Sequence, residues 1–172
     1  MQRLIFIFFI SFLILLPLNA YETEDKIKAL LLGKISKYIK WKTSDTDNFK
    51  ITIINNSQDK LFYEMYNDKN INDKIFTINY IDNISQIKDT DILYISADNS
   101  HDLENILQEI KGKNILSVSD IRGFAEKGGI VQIYFLSQKP KLKINLDEAK
   151  RESFKISSSL LRIVEVIHGD MK

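Results

Sequence analysis

The sequence predicts an α/β fold: a single-domain, three-layer α/β/α sandwich with a mostly parallel mixed sheet and a C-terminal antiparallel hairpin. Three observations indicate this. Short runs of β-branched and aromatic residues alternate with segments whose apolar residues recur every three or four positions, as in repeated strand-helix-strand units. Two late strand-like runs are separated by only four residues, which is too few for a parallel crossover. Finally, 172 residues are enough to bury a core.

The first twenty residues predict a secretory signal peptide. Arg3 is their only charged residue, and the apolar run over 4–16 is interrupted by a single serine. A proline and a small residue then precede Tyr21, so we expect cleavage after Ala20. An uncleaved membrane anchor is the alternative, although the run is shorter than the roughly 20 apolar residues that span a bilayer. We therefore expect a signal peptide at 1–20 and one domain over 21–172.

Charge and cysteine content exclude several classes of function. The chain has 24 Lys and Arg against 23 Asp and Glu, and removal of residues 1–20 takes away one basic residue only. The resulting balance gives no bulk attraction to nucleic acid or anionic lipid. Because the sequence has no cysteine, disulfides and thiol redox chemistry are excluded, and stability must come from packing.

The N-terminal half predicts two helices and two strands. An amphipathic helix follows Thr23, which is the expected N-cap, and carries apolar residues at three- and four-residue steps as far as Ile39. The run over 49–55 is rich in β-branched residues and predicts a buried strand. Helical spacing returns over 61–66, and a second strand is expected over 75–81.

The C-terminal half continues the alternation and then changes it. Its predicted elements are a strand over 91–96, a helix over 103–110, a strand over 114–118, hairpin strands over 130–136 and 141–146, and a last helix over 157–166. Gly112 is expected to end the helix before it, and Asp147 to open a helical turn. The short hairpin connection requires its two strands to be antiparallel.

Two stretches carry a family resemblance: KIKALLLGKISKYIKW at 26–41, and 114–163, which begins NILSVSDIRGFAEKGGIVQIYFL. They resemble the YfiR-like family of small periplasmic proteins. The resemblance implies a periplasmic regulatory protein that binds the sensing domain of an inner-membrane diguanylate cyclase, or of a related sensor such as a kinase. It would inhibit that partner and so lower cyclic-di-GMP signalling and biofilm formation. A homodimer is also expected by this resemblance, whereas the disulfides of some relatives are missing here.

The matching segments also suggest which residues meet the partner. These are Trp41, Arg122, Phe124, Glu148 and Arg151. Exposed aromatic residues beside arginine often anchor protein contacts. Burial of Trp41 and Phe124 in the core is an equally good interpretation, because large aromatic rings more often pack inside.

A small-molecule receptor is the alternative function. In open α/β sheets, ligands bind beyond the carboxyl ends of parallel strands. Ser96 and Asp98 follow the third predicted strand, and Ser119, Asp120 and Arg122 follow the fourth, so these five residues predict one ligand crevice. The competing interpretation is that they are loop residues that cap turns.

The glycine-rich stretch before the hairpin does not match a phosphate-binding loop. Gly123, Gly128 and Gly129 are followed by Ile130 and Val131, where a Walker motif needs Lys and Ser or Thr. We expect these glycines to supply backbone positions with positive φ instead.

The remaining reactive residues form no catalytic or metal-binding pattern. His101 and His168 are the only histidines and lie on separate segments, without the spacing of a metal site. Neighbouring Asp147 and Glu148 point in different directions on a helix and are better explained as a helix start. The sequence predicts a protein that is not an enzyme, with no cofactor and no metal.

Overall fold

The computed structural model describes residues 18–41, 48–54, 60–71 and 74–169, and the side chains of 18–23 are not described. Its strands are β1 (Ile39–Lys40), β2 (Asn48–Ile54), β3 (Asn70–Ile71), β4 (Lys74–Ile81), β5 (Ile92–Ile95), β6 (Leu116–Ser119), β7 (Val131–Leu136), β8 (Lys139–Asn145), β9 (Lys155–Ile156) and β10 (Glu165–Ile167). Its helices are α1 (Leu18–Ile35), α2 (Leu61–Tyr66), α3 (Leu103–Ile110), α4 (Leu146–Arg151) and α5 (Ser158–Leu161).

Eight strands form the central sheet, in the order β10-β8-β7-β6-β5-β2-β4-β3. The run from β4 to β7 is parallel throughout, β8 returns antiparallel to β7, and β10 lies parallel to β8 at the edge. The mostly parallel mixed sheet and its antiparallel hairpin confirm the predicted fold class. A separate antiparallel pair, β1 with β9, joins the end of the α1 region to the C-terminal segment.

Helices cover both faces of the sheet because the central strands are apolar on both sides. On β5, Ile92 and Tyr94 belong to one core cluster, and Leu93 and Ile95 to a second. The first cluster includes residues of α1 and α2, and the second includes residues of α3. This arrangement is the predicted three-layer sandwich.

A close approach between two helices fixes α1 on its face. Tyr66 of α2 donates a hydrogen bond from its hydroxyl to the Ala29 carbonyl of α1 at 2.8 Å. A Cβ added to Gly33 would lie 2.6 Å from that same hydroxyl oxygen, so only glycine fits there. Burial raises the pKa of Tyr66 above its usual value, which keeps the hydroxyl protonated as a donor.

The N-terminal boundary differs from the prediction. Helix α1 begins at Leu18, so Thr23 lies inside the helix and is not its N-cap. The predicted signal peptide lies outside the described residues except for 18–20, which form the first residues of α1. Across the described part of the chain, none of the helices combines the length and apolar content that a bilayer crossing requires.

Two C-terminal predictions are also corrected. The N-cap of α4 is Asn145, whose side-chain oxygen accepts a hydrogen bond from the Glu148 backbone N–H at 3.1 Å, and not Asp147. The predicted last helix ends at Leu161, and Glu165–Ile167 forms β10 instead. The helical spacing of that segment was misleading because pairing with β8 outweighs local propensity at the edge of the sheet.

Candidate functional site

The connection between β6 and β7, which we call the glycine loop (residues 120–130), is unusual for a parallel crossover. β6 and β7 pair in parallel, with Val118 opposite Val131, but the glycine loop contains only turns and no helix. Parallel strands are normally joined by a helix that covers one face of the sheet. Here the glycine loop itself must cover that face.

Buried polar side chains of the strands hold the start and end of the glycine loop. Ser119 has no exposed surface, and its hydroxyl donates to the Ile95 carbonyl at 2.6 Å while accepting from the Ile121 N–H at 3.0 Å. The Ser117 hydroxyl accepts from the Ile130 N–H at 3.0 Å. These bonds satisfy backbone groups that would be costly to bury alone.

The middle of the glycine loop is held in the same way at Ala125. The Asn145 side-chain amide donates to the Ala125 carbonyl at 2.9 Å, and the Gln132 side-chain oxygen accepts from the Ala125 N–H at 3.4 Å. Asn145 and Gln132 are both buried. The glycine loop is therefore fastened to three neighbouring strands.

Phe124, at the centre of the glycine loop, is a core residue. Its side chain is 0% exposed and lies in the same cluster as Leu103 and Ile106 of α3. A Cβ added to Gly129 would lie 2.1 Å from the Phe124 ring. The expectation that Phe124 offers an exposed anchor is thus wrong, because the ring fills the space that a crossover helix would cover.

The three loop glycines have two different causes. Gly123 and Gly128 have φ of 75° and 100°, as expected for positions that favour glycine. Gly129 has an ordinary φ and is required by the close approach of Phe124.

Trp41 is also a packing residue. Its ring lies edge-on to Phe49 at 4.8 Å and to Phe154 at 5.3 Å between centroids, and its Nε1–H donates to the Ser36 carbonyl at 2.9 Å. The ring is half-buried and joins the segment after α1 to the C-terminal segment around β9. Core packing therefore accounts for Trp41.

The other predicted partner residues lie at the surface. Arg122 is exposed in the glycine loop. Glu148 and Arg151 are on α4 and form an ion pair with each other. Arg151 is exposed and Glu148 is half-buried.

The predicted ligand crevice is occupied by the protein's own side chains. Asn99 is 4% exposed and donates from its amide to the Ile54 carbonyl at 3.0 Å and to the Ser96 hydroxyl at 3.1 Å. It therefore sits where β2 and β5 end, which is the switch point of the strand order. Asp98 is exposed, whereas Ser119 is fully buried.

Asp120 forms an ion pair with Lys28 of α1. The Lys28 ammonium lies 2.8 Å from Asp120 Oδ2 and 2.9 Å from Asp25 Oδ1. Burial alone would lower the pKa of Lys28, but hydrogen bonds and attraction from Asp120 and Asp25 outweigh it and raise the pKa above its usual value. Asp120 thus fixes the start of the glycine loop to α1 through Oδ2, while its Oδ1 is buried without a hydrogen-bond partner among the described residues.

The structure places an open groove elsewhere, between α3 and α4, and we call it the α3–α4 groove. It has a volume of about 550 Å³ and is lined by side chains that include Leu107, Ile115, Lys127, Glu148 and Glu152. Sequence reasoning missed it, since the strand-end rule looks beyond the carboxyl ends of the strands, whereas this groove lies along α3.

Glu152 connects the two sides of the α3–α4 groove. Its carboxylate accepts hydrogen bonds from the Gly112 N–H at 2.7 Å and the Asn114 N–H at 2.9 Å. Gly112 has φ of 75° and follows the end of α3, as predicted. The turn after α3 is therefore tied to the end of α4, which fixes the width of the groove.

A charged cluster attaches the glycine loop to the hairpin. Lys143 of β8 lies 2.6 Å from Glu126 and 3.1 Å from Glu165, and the Tyr134 hydroxyl donates to Glu165 at 2.9 Å. The hydrogen bond from Lys143 lowers the pKa of Glu126, and the same bond raises the pKa of Lys143. Within the described residues there is no group of three or more acidic, histidine or cysteine side chains arranged to hold a metal.

The family model described as YfiR/HmsC-like (DUF4154) matches residues 25–165. The chain belongs to the YfiR/HmsC-like family. The match runs from α1 to the first residue of β10, so it includes the glycine loop, the hairpin and both walls of the α3–α4 groove. No curated protein is similar enough in sequence to count as a match.

Solved structures share the fold of this YfiR/HmsC-like chain at low identity. One is the crystal structure of a conserved domain protein from Vibrio cholerae, with a TM-score of 0.57, 10% identity, and coverage of 82% of this chain and 59% of that one. Another is an ABC domain in complex with L-Trp from Streptococcus pneumoniae, with a TM-score of 0.54, 12% identity, and coverage of 81% and 59%. The chain thus spans 59% of each solved protein, and the likeness shows the fold alone.

Proposed function

We propose that the protein is a periplasmic regulator that binds the sensing domain of an inner-membrane diguanylate cyclase or a related signalling protein. By holding this partner in its inactive state it lowers cyclic-di-GMP output and biofilm formation. The observation that carries the proposal is the YfiR/HmsC-like family match over residues 25–165. The signal peptide predicted at 1–20 supports export to the compartment where such a sensing domain lies.

Inhibition in this proposal is a shift between two states of the partner. A regulator that binds the inactive state better moves the equilibrium toward it, and no bond needs to be made or broken. Moving a population from mostly active to mostly inactive takes about 5.5 kcal/mol of preferential binding. A standard protein interface of roughly 800 Å² per partner can supply that difference.

The surface that we assign to this contact is the exposed side of the glycine loop together with α4. Arg122, Glu148 and Arg151 lie there, and the Lys127 and Glu148 side chains line the adjoining α3–α4 groove. The glycine loop is preorganised by the bonds from Ser117, Ser119, Gln132 and Asn145. A loop that is already ordered loses little conformational entropy on binding.

Binding to the periplasmic domains of the membrane diguanylate cyclases from the same cell tests the proposal. We expect one of the immobilised domains to retain the protein, and the full-length cyclase in membranes to lose activity when the protein is added. Charge reversal with Arg122→Glu and Arg151→Glu should weaken this binding at least tenfold. The matched control carries Lys37→Glu and Lys40→Glu, two exposed positions near β1, and should bind normally.

Retention by none of the cyclase domains, or equal loss of binding in the control variant, would contradict the assignment.

The homodimer expected from the family resemblance is part of the same proposal. Sedimentation equilibrium of the purified protein should give twice the monomer mass, and a monomer at micromolar concentration would contradict it.

A small-molecule receptor is the second candidate, and the α3–α4 groove is the observation that favours it. Its volume of about 550 Å³ falls within the roughly 300–1,000 Å³ of ligand sites. A ligand found by thermal shift should lose its effect in Leu107→Trp, which fills the groove, and keep it in Tyr63→Trp on α2. Loss in both variants, or in neither, would contradict binding in the groove.

A further inference from the structure

The hairpin end of the sheet carries the most exposed large apolar side chains of the described residues. Leu136, the last residue of β7, is 61% exposed, and Ile163, in the turn before β10, is 79% exposed. Six consecutive residues over 136–141 are exposed, so this end of the sheet projects beyond the layers that cover the rest of it. We call residues 136–141 with 162–163 the hairpin tip.

Strand register brings the two parts of the hairpin tip together. Leu136 pairs with Lys139 across the turn, and β10 runs parallel to β8 with Glu165 opposite Lys143. Ile163 comes two residues before Glu165, so it lies toward the same end of the sheet as the β7–β8 turn. The two apolar side chains therefore lie at one end of the sheet.

The hairpin tip also contains three cations. Lys139, Lys141 and Arg162 are all exposed, and in the part of the chain that the structure describes none of them forms an ion pair. The next lysine along β8, Lys143, is different because Glu126 and Glu165 hold it. Among the lysines of β8, those toward the tip are therefore the ones without a carboxylate partner in the described residues.

We propose that the hairpin tip docks onto an anionic lipid surface, with Leu136 and Ile163 entering the headgroup layer and Lys139, Lys141 and Arg162 meeting lipid phosphates. Exposed apolar side chains suit the boundary between headgroups and acyl chains, and cations suit the anionic phosphates above it. The formal balance of 24 basic and 23 acidic residues provides no bulk attraction, so this local cluster carries the binding.

The size and shape of the hairpin tip favour lipid over an acidic protein. A stable protein interface takes about 800 Å² and 20 to 30 residues per partner. The tip offers eight residues on a projecting end, with two apolar side chains. Entry of a projecting turn into headgroups needs no complementary concave partner, and each cation near an anionic membrane adds affinity independently.

Co-sedimentation of the expected mature protein (residues 21–172) with lipid vesicles tests the proposal. Partition is compared between vesicles of phosphatidylglycerol with phosphatidylcholine and vesicles of phosphatidylcholine alone. We expect at least roughly 100-fold preference for the anionic vesicles, since three cations contribute about fivefold each, and high salt should reduce it. Lys139→Glu with Lys141→Glu should lower the partition by at least 25-fold, since each cation contributes about fivefold. Leu136→Ser with Ile163→Ser should lower the partition at low salt and at high salt alike.

Matched controls keep the result specific to the hairpin tip. Lys37→Glu with Lys40→Glu makes the same charge change, and Tyr63→Ser removes another exposed apolar group, so both should bind vesicles like the wild type. Equal partition of the wild type into both kinds of vesicle would overturn the proposal. Unchanged vesicle binding by the tip variants, with loss of cyclase binding instead, would assign the tip to a protein partner and overturn it too.

Discussion

The glycine loop and the hairpin tip both connect neighbouring strands, but they are built in opposite ways. The glycine loop is long and lacks regular structure, yet strand side chains bond to its backbone and Phe124 is buried beneath α3. The hairpin tip has a turn of only two residues, Ser137 and Gln138, and all of it is exposed. The glycine loop shows that burial and satisfied hydrogen bonds can hold a long connection that lacks regular structure.

The largest expected effect comes from breaking the packing of the glycine loop. Gly129→Ala places a Cβ 2.1 Å from the Phe124 ring and should lower the free energy of unfolding by about 3 kcal/mol. Adding Phe124→Leu should restore part of that loss, because the two substitutions act on one space. Urea denaturation measures both effects.

Gly169→Ala is the matched control for this substitution. The nearest atom to a Cβ there would be the Asn145 side-chain nitrogen at 3.4 Å, so stability should be almost unchanged. Equal losses for Gly169→Ala and Gly129→Ala would show that Phe124 is not held as described.

Loss of the link between the glycine loop and α1 should be the next largest effect. Lys28 is half-buried between the carboxylates of Asp25 and Asp120, and Asp120→Ala removes one of the two. We expect a loss of about 2 kcal/mol in unfolding free energy. Asp25→Ala removes the more exposed of the two carboxylates and should cost about 0.5 kcal/mol. Thermal and urea unfolding of the two variants would contradict this order if Asp25→Ala were the more damaging.

At the hairpin tip, a substitution should stabilise the protein. Ser137 and Gln138 have φ of 49° and 62°, a conformation that Asn and Gly adopt more readily in a two-residue hairpin turn. Ser137→Asn with Gln138→Gly should raise the free energy of unfolding by about 1 kcal/mol. A lower denaturation midpoint for this variant would mean that the turn has a different conformation.

The smallest effect concerns Glu126, which joins the glycine loop to β8 of the hairpin through Lys143. Its pKa is lowered from 4.5, chiefly by the hydrogen bond from Lys143, so its stabilising contribution is complete above about pH 4.5 and is lost as the pH falls through the lowered value. The melting temperature of Glu126→Gln should therefore lie slightly below that of the wild type at pH 7 and approach it in acid. A constant difference at all pH values would exclude the charge as its cause.

Most of the sheet could be predicted from the sequence because its strands are short, apolar on both faces and separated by clear helical spacing. The run Ile92–Ile95 and the helix Leu103–Ile110 are examples. The end of the chain could not be predicted as well, since Glu165–Ile167 has helical spacing but becomes a strand by pairing with β8. Edge pairing depends on distant residues that local periodicity does not report.

The candidate site was less predictable than the fold. The residues after β5 and β6 were expected to line a crevice, but Asn99 fills the space between strand ends and Lys28 binds Asp120. Nothing in the local sequence indicates that a lysine of α1 lies beside residue 120. The burial of Phe124 could not be predicted from the local sequence either. That no helix joins β6 to β7 becomes apparent only once these two strands are known to be parallel.

The pairing of β1 with β9 has a consequence for the order in which the chain can complete its structure. Ile39 and Lys40 pair with Ile156 and Lys155, which lie far later in the chain, as does Phe154, which packs on Trp41. The segment after α1 therefore stays without its partner strand during synthesis until residues 154–156 have been made. A nascent chain stalled before Phe154 would hold α1 without this pairing.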